Sequence, residues 1–326
     1  MNVLISVSRV LVAVCAVISM LPAHGAENYP IKPIKLIVGY SAGGAADARA
    51  RVIAEMAGAE LGQKIVVDNR PGAAGTIAAE AVAKSPPDGY TLLYGITSEL
   101  AVAPALGQKI AYDPDTSFVG ISGVLSSHLA LFVSPSLGVK TLAEFIELAK
   151  SKPGTINYGS SGNASIQHFF AELFSKKAGI ELNHIPYKGE APTITDLLGG
   201  HIQATFGVSA TMLQHVKSGK VIPLATAAAK RYVSLPDTPT FQESGVAGMD
   251  VPVWTGIFAP AGTPREIIAK LNEVIVKVRN SPEFAKLPGV EDSVNIAGPP
   301  EAFAAFMKGE RARWVRLVKE SGIKLE

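Results

Sequence analysis

Leu36-Ile37-Val38-Gly39-Tyr40-Ser41-Ala42-Gly43-Gly44-Ala45-Ala46-Asp47 reads as a strand, a turn of small residues and the opening of a helix. The apolar run Ile34 to Val38 stops abruptly, and an amphipathic helix is predicted from about Asp47, with Ala48, Val52, Met56 and Ala59 on its buried face. Arg49, Glu55 and Glu60 are expected off that face. Gly43 and Gly44 tolerate backbone angles that larger residues resist and let a ligand approach the main chain. The first amides of a helix have no partner within it, so such a turn suits an anion. The same construction recurs at Ile156-Asn157-Tyr158-Gly159-Ser160-Ser161-Gly162-Asn163-Ala164-Ser165. Two such turns, one in each half, are what a clamp requires.

Working outward, Ile65-Val66-Val67 and Tyr90 to Tyr94 read as further strands, separated by a helix over about Thr76 to Lys84. The last of these strands ends in Gly95-Ile96-Thr97-Ser98-Glu99, at the carboxyl edge where open α/β sheets bind ligands. A long extended stretch, Phe118 to Val133, leaves the first half. Thr141-Leu142-Ala143-Glu144 is a capping box, and strands are predicted at Ile156, Leu182–Ile185 and Ile202–Phe206. Pro186 to Pro192 is expected to be a loop. Thr263-Pro264-Arg265-Glu266 opens a helix with Thr263 as its cap, and a last helix spans about Glu301 to Glu320. The two halves repeat strand, small-residue turn, helix, strand, loop, helix. That order predicts an α/β fold of two similar lobes joined by a two-strand hinge, the clamshell (Venus flytrap) plan of a type II-like periplasmic binding protein. Domain 1 is expected over 26–125 and 253–326, and domain 2 over 126–252.

At 326 residues the chain is long enough for two domains, and 48% hydrophobic residues with a mean hydropathy of +0.26 exclude a disordered chain. The net charge of +2, without long runs of either sign, excludes a nucleic-acid partner. Arg9 precedes an apolar run from Val10 to Leu21 and the small residues Ala23 and Gly25, the pattern of a secretory signal peptide over 1–25. Cleavage is expected after Gly25 or Ala26, delivering the protein to a bacterial periplasm. The sole cysteine, Cys15, leaves with that segment, so neither a disulfide nor thiolate chemistry is expected. His128, His168, His184, His201 and His215 have no metal-ligand spacing, and no G-x-G-x-x-G or P-loop pattern occurs, so no metal or cofactor is expected.

Four motifs, Gly39-Tyr40-Ser41-Ala42-Gly43-Gly44 with Asp47, Asn69-Arg70-Pro71-Gly72-Ala73, Pro87-Asp88-Gly89-Tyr90-Thr91-Leu92 and Tyr158-Gly159-Ser160-Ser161-Gly162-Asn163, resemble the Bug family. These are the receptors of tripartite tricarboxylate transporters. Pro186-Tyr187-Lys188-Gly189, Asp196-Leu197-Leu198-Gly199-Gly200 and Ala259-Pro260-Ala261-Gly262-Thr263-Pro264 match in the same order. The resemblance implies a monomeric periplasmic receptor that closes on a carboxylated solute (dicarboxylate, aromatic carboxylate or amino acid) and serves integral membrane transporter subunits. It also implies that peptide amides, hydroxyls and waters of the two turns hold the carboxylate. Two opposed helix starts suit a carboxylate by themselves, so the cleft is expected to lack a dedicated arginine. Glu99 and Gly207 depart from the family pattern at positions expected to face the cleft.

The candidate ligand-binding residues are Tyr40, Ser41, Ala42, Gly43, Gly44, Asp47, Thr97, Ser98, Glu99, Ser160, Ser161, Gly162, Asn163, Ser165, His168, Tyr187, Gly207 and Trp254. Asp47 reads either as a helix cap or as the group that orients the first turn. Glu99 reads either as a cleft carboxylate for a cationic solute group or as a solvated charge. His168 could donate to a ligand or pack under its loop, and Tyr187 and Trp254 could wall the cleft or belong to the core. The rival class, a hydrolase using Ser161 with His168 as base, lacks a G-x-S-x-G elbow. A receptor that feeds a sensor protein instead of a transporter is a third reading.

Overall fold

The computed structural model describes residues 29–325; the signal-peptide reading lies outside them. Along the chain the strands are β1 Ile34–Val38, β2 Ile65–Asn69, β3 Thr91–Ile96, β4 Phe118–Ser127, β5 Ala130–Val133, β6 Asn157–Ser160, β7 Asn183–Pro186, β8 Ala204–Gly207, β9 Ile222–Thr226, β10 Val253–Pro260 and β11 Val294–Asn295. The longer helices are α1 Ala45–Leu61, α2 Thr76–Ala83, α3 Leu142–Ser151, α4 Ile166–Ala178, α5 Glu190–Leu198, α6 Ser209–Lys217, α7 Arg265–Arg279 and α8 Pro300–Ser321.

Two mixed sheets result, one of six strands in the order β11-β4-β10-β3-β1-β2 and one of five in the order β7-β6-β8-β5-β9. Within the first, β1 pairs in parallel with β2 and β3, while β10 runs antiparallel to β3 and β4. Alternate side chains of β1 take opposite faces. Leu36 and Val38 join a core with Ile53, Ala57, Ile267 and Leu271, whereas Ile37 joins Ala78 and Val82. The sheet is therefore buried on both sides, which is why its strands read as unbroken apolar runs. The second sheet packs Phe145, Phe169, Phe170 and Phe174 on one face and Ile194, Leu197, Met212 and Leu213 on the other.

The extended stretch at 118–133 is two strands. β4 ends at Ser127 in the first sheet, and β5 begins at Ala130 in the second. The chain returns to the first sheet with β10 at Val253. A third connection was invisible in the sequence. Helix α8 sets Trp314 edge-on against Phe169 of α4, ring centroids 5.3 Å apart, and Lys176 donates to the Ser321 carbonyl at 2.6 Å.

Three local expectations need correction. Helix α1 begins at Ala45 and buries Asp47, Arg49, Ala50, Ile53, Ala54 and Ala57, while Ala48 and Ala59 are exposed. Alanines lie all round this helix, so its pattern is degenerate, and packing against β1 and α7 selects the face. Thr263 does not cap α7; Pro264 occupies that position, and the Thr263 hydroxyl donates to the Pro260 carbonyl at 2.8 Å. Helix α5 begins inside the expected loop, at Glu190. Pro192 falls in its first turn, where a missing N–H costs nothing. The capping box at Thr141 and Glu144 is present with both reciprocal bonds.

Candidate functional site

Loops from both sheets meet between them. At the first turn Gly43 has φ +88°, which favours glycine, and its amide donates to Asp47 Oδ2 at 2.9 Å. Asp47 also accepts from Asn69 Nδ2 at 3.0 Å and pairs with Arg51 at 2.9 Å. Asp47 is the third residue of the helix, not its cap, so its role is to hold the turn. Burial alone would raise its carboxyl pKa, but the Arg51, Gly43 and Asn69 hydrogen bonds outweigh it and hold the group below its usual range. Gly39 is required by close approach, because a Cβ there would lie 2.6 Å from Gly75 Cα.

Glu99 answers to neither sequence reading, being wholly buried. Oε1 accepts the Ile96 amide at 2.7 Å, and Oε2 lies 2.8 Å from Tyr40 Oη, which is itself 2.9 Å from the Ala74 carbonyl. Tyr40 has a single hydroxyl proton for two acceptors. Both contacts are satisfied when Glu99 carries a proton: Glu99 donates to Tyr40, and Tyr40 donates to Ala74. Burial accordingly pushes the Glu99 carboxyl up to about 8, against the lowering effect of the Ile96 amide and Tyr40. A neutral acid thus ties together the first turn, the 73–75 turn and the end of β3.

Trp254 also departs from the cleft-wall expectation. It is fully buried in the core, and its amide donates to Thr97 Oγ1 at 2.7 Å, which takes Thr97 out of the cleft as well. Ser98 Oγ accepts the Ile166 amide at 3.1 Å, a bond between the two lobes. Two more such bonds run from the Ser41 amide to the Lys188 carbonyl (3.2 Å) and from the Ala45 amide to Glu190 Oε2 (3.0 Å). The lobes are in contact, as in a closed clamshell.

In the second turn Ser165 caps α4 by accepting the His168 amide at 3.2 Å, and Ala164 sits at φ +55°. Gly162 faces Ala74 of the first lobe, while Asn163, like Ala42, is exposed. His168 packs beneath this turn: Nδ1 accepts the Ala164 amide, and its ring stacks on His184 at 3.7 Å. Burial and the neighbouring His184 push the His168 pKa down to about 3, and burial takes His184 to about 4. Ser160, also buried, bonds His184 Nε2 at 2.6 Å. Tyr187 donates to Asp196 at 2.6 Å, outside the cleft.

Between the lobes lies a cavity of about 60 Å³. Of the candidates, Tyr40, Gly44 and Ser161 line it; Ile96, Leu125, Leu129, Ile166, Val208 and Val253 make most of its wall apolar. Two charged residues outside the candidate set also line it: Arg49, expected off the buried face of its helix, and Glu190. Arg49 is 6% exposed, its Nε has no hydrogen-bond partner, and it forms no ion pair among the described residues. The expectation of a cleft without an arginine is therefore corrected. Tyr94 Oη, Gln167 Oε1 and Thr255 Oγ1 are likewise buried and line the same cavity; the Tyr94 and Thr255 hydroxyls face each other without good hydrogen-bonding geometry, and Gln167 Oε1 has no partner. Glu190 Oε1 accepts from Thr211 Oγ1 at 2.8 Å, completing the partners of a carboxylate whose other oxygen takes the Ala45 amide. Burial raises its pKa, opposed by the Ala45 amide, Thr211, Arg49 and the Val208 amide. Gly207 matters here by absence: a Cβ would lie 3.3 Å from Glu190 Oε1. The signal for Arg49 was a cation on a helix whose other side chains are mostly small, and that for Glu190 was its place at the first turn of α5.

Two α/β lobes closed over a small chamber of unpartnered polar atoms define a solute-binding protein of the clamshell class. Residues 49–323 match the family described as Tripartite tricarboxylate transporter family receptor, and the chain belongs to that family of solute-binding receptors. It is 35% identical over 302 residues to Protein BugT of Bordetella pertussis, covering 92% of this chain and 93% of that one. Among solved structures it resembles the periplasmic binding protein BugD (TM-score 0.86, 32% identity, 91% of this chain and 99% of that one). Rpa4515 of R. palustris, solved with adipate, is as similar (TM-score 0.86, 33% identity, with the same coverage). Among the described residues no helix is long and apolar enough to cross a membrane.

Proposed function

We propose that this chain works in the periplasm as a receptor that closes on a small carboxylated solute and hands it to integral membrane transporter subunits. The moving bodies are 26–125 with 253–326, and 126–252, with the paired ends of β4 and β10, Ser127 and Val253, as the hinge. The observation that carries the reading is Arg49: a buried guanidinium with no carboxylate at ion-pair distance among the described residues, Glu190 acting on it only from further off, is costly, and the cavity is where a closer counter-ion fits. Arg49, Tyr94 and Thr255 come from one lobe, and Ser161 and Gln167 from the other. A solute touching both is bound best when the lobes are shut, and that difference drives closure.

Adipate in the R. palustris relative supports a carboxylate as the recognised group. The receptor reading is favoured over the hydrolase. Ser160 has the histidine partner but is buried away from the cavity, while Ser161 lines the cavity without a base. Titration calorimetry of the protein with short aliphatic and aromatic carboxylates tests the proposal. Binding without turnover, lost in Arg49→Gln with the circular dichroism spectrum kept, is expected. Equal binding by wild type and Arg49→Gln, or turnover abolished by Ser161→Ala, overturns it.

A further inference from the structure

The position of Glu190 bears on which carboxylate the cavity accepts. Its side chain crosses from the second lobe to the Ala45 amide, at the N-terminus of the 17-residue helix α1. That amide is where a second solute carboxylate would find a donor in the first lobe. The protein's own carboxylate is already there, held also by Thr211 and given room by Gly207. Among the lining residues Arg49 is the one cation, and the remaining unpartnered polar atoms, on Tyr94, Gln167 and Thr255, are neutral. The rest of the wall is largely aliphatic. One anion partner is open, a second anion position is filled, and the space between is apolar and small.

We propose that the cavity selects a solute with one carboxylate on a compact apolar body and rejects dicarboxylates, with Arg49 as the anion partner and Glu190 as the group filling the second anion position. This rests on the receptor reading above. Glu190 excludes the second carboxylate by occupancy and, when ionised, by like charge in a poorly solvated site. It does not call for a solute ammonium group, because its oxygens already take the Ala45 amide and the Thr211 hydroxyl.

The test is titration calorimetry with valerate and glutarate, which share a chain length and differ by one carboxylate, and with norvaline, which adds an amino group to valerate. Wild type is expected to bind valerate at least about tenfold tighter than glutarate. Glu190→Ala should shift the glutarate-to-valerate affinity ratio by at least about tenfold in favour of glutarate, whatever the loss of the Ala45 bond does to closure on both. If Glu190→Ala melts early, Glu190→Gln carries the test, because it removes the charge, keeps the size and should narrow the preference. Glutarate or norvaline binding wild type as tightly as valerate overturns the inference; if Arg49→Gln still abolishes that binding, the receptor reading stands. Failure of valerate, glutarate and the wider carboxylate panel to bind folded wild type overturns both.

Discussion

Glu99→Gln should flatten the dependence of stability on pH. The native state holds the Glu99 proton until pH rises to about 8, whereas the unfolded chain releases it near the ordinary carboxyl value of 4.5. Between those limits the unfolded state binds one proton fewer, so wild type loses about 1.4 kcal/mol of unfolding free energy for each unit of rising pH. The loss begins near 4.5, is complete by about 8, and totals on the order of 4–5 kcal/mol. Tyr40, Tyr94 and Tyr112, which face Glu99, are all held above their usual value, mainly by burial, and stay neutral throughout. Glutamine keeps the acceptor for the Ile96 amide and can donate to Tyr40 Oη, so it copies the neutral acid. Urea unfolding of both proteins at about pH 5 and about pH 7.5 should show wild type falling by roughly 3 kcal/mol more than the variant. Parallel slopes, or a variant that is less stable at the higher pH, would show that Glu99 is ionised and would refute the proton assignment.

Other outcomes follow from the same geometry. Asp47→Ala removes the acceptor of the Gly43 amide and of Asn69 and the partner of Arg51; denaturant midpoints should report a loss of about 1–3 kcal/mol, with weaker solute binding. Ala164→Gly relieves a left-handed alanine at φ +55° and should stabilise by about 0.5–1 kcal/mol, read by calorimetric melting. Gly39→Ala pushes a methyl group onto the Gly75 backbone and should cost at least about 1–3 kcal/mol by the same measurement. The His168 and His184 ring resonances should not titrate between about pH 5 and pH 8, since burial holds both neutral; a titration midpoint near 6.5 would contradict the stacked arrangement.

The sequence by itself determined β1 to β3, β6 to β8, the two glycine turns and the two-lobe plan, but neither β9 and β11 nor the break between β4 and β5. Apolar runs of strand length, capping chemistry and glycine spacing are local signals, and β1, α3 and both turns follow from them. Only the tertiary structure decided which side chains meet in the cavity. The alanines around α1 left its inward face open, so Arg49 read as lying off the buried face, whereas packing turns it inward. Pro192 disguised the first turn of α5, and with it the path by which Glu190 reaches across the lobes to Ala45. Glu99, polar in the sequence, keeps its proton in the fold up to about pH 8, because burial and a neighbouring hydroxyl with a single proton favour the neutral acid. Local periodicity specifies backbone and burial pattern, whereas the charge state and partners of a side chain depend on groups far away in sequence, here 145 residues between Glu190 and Ala45.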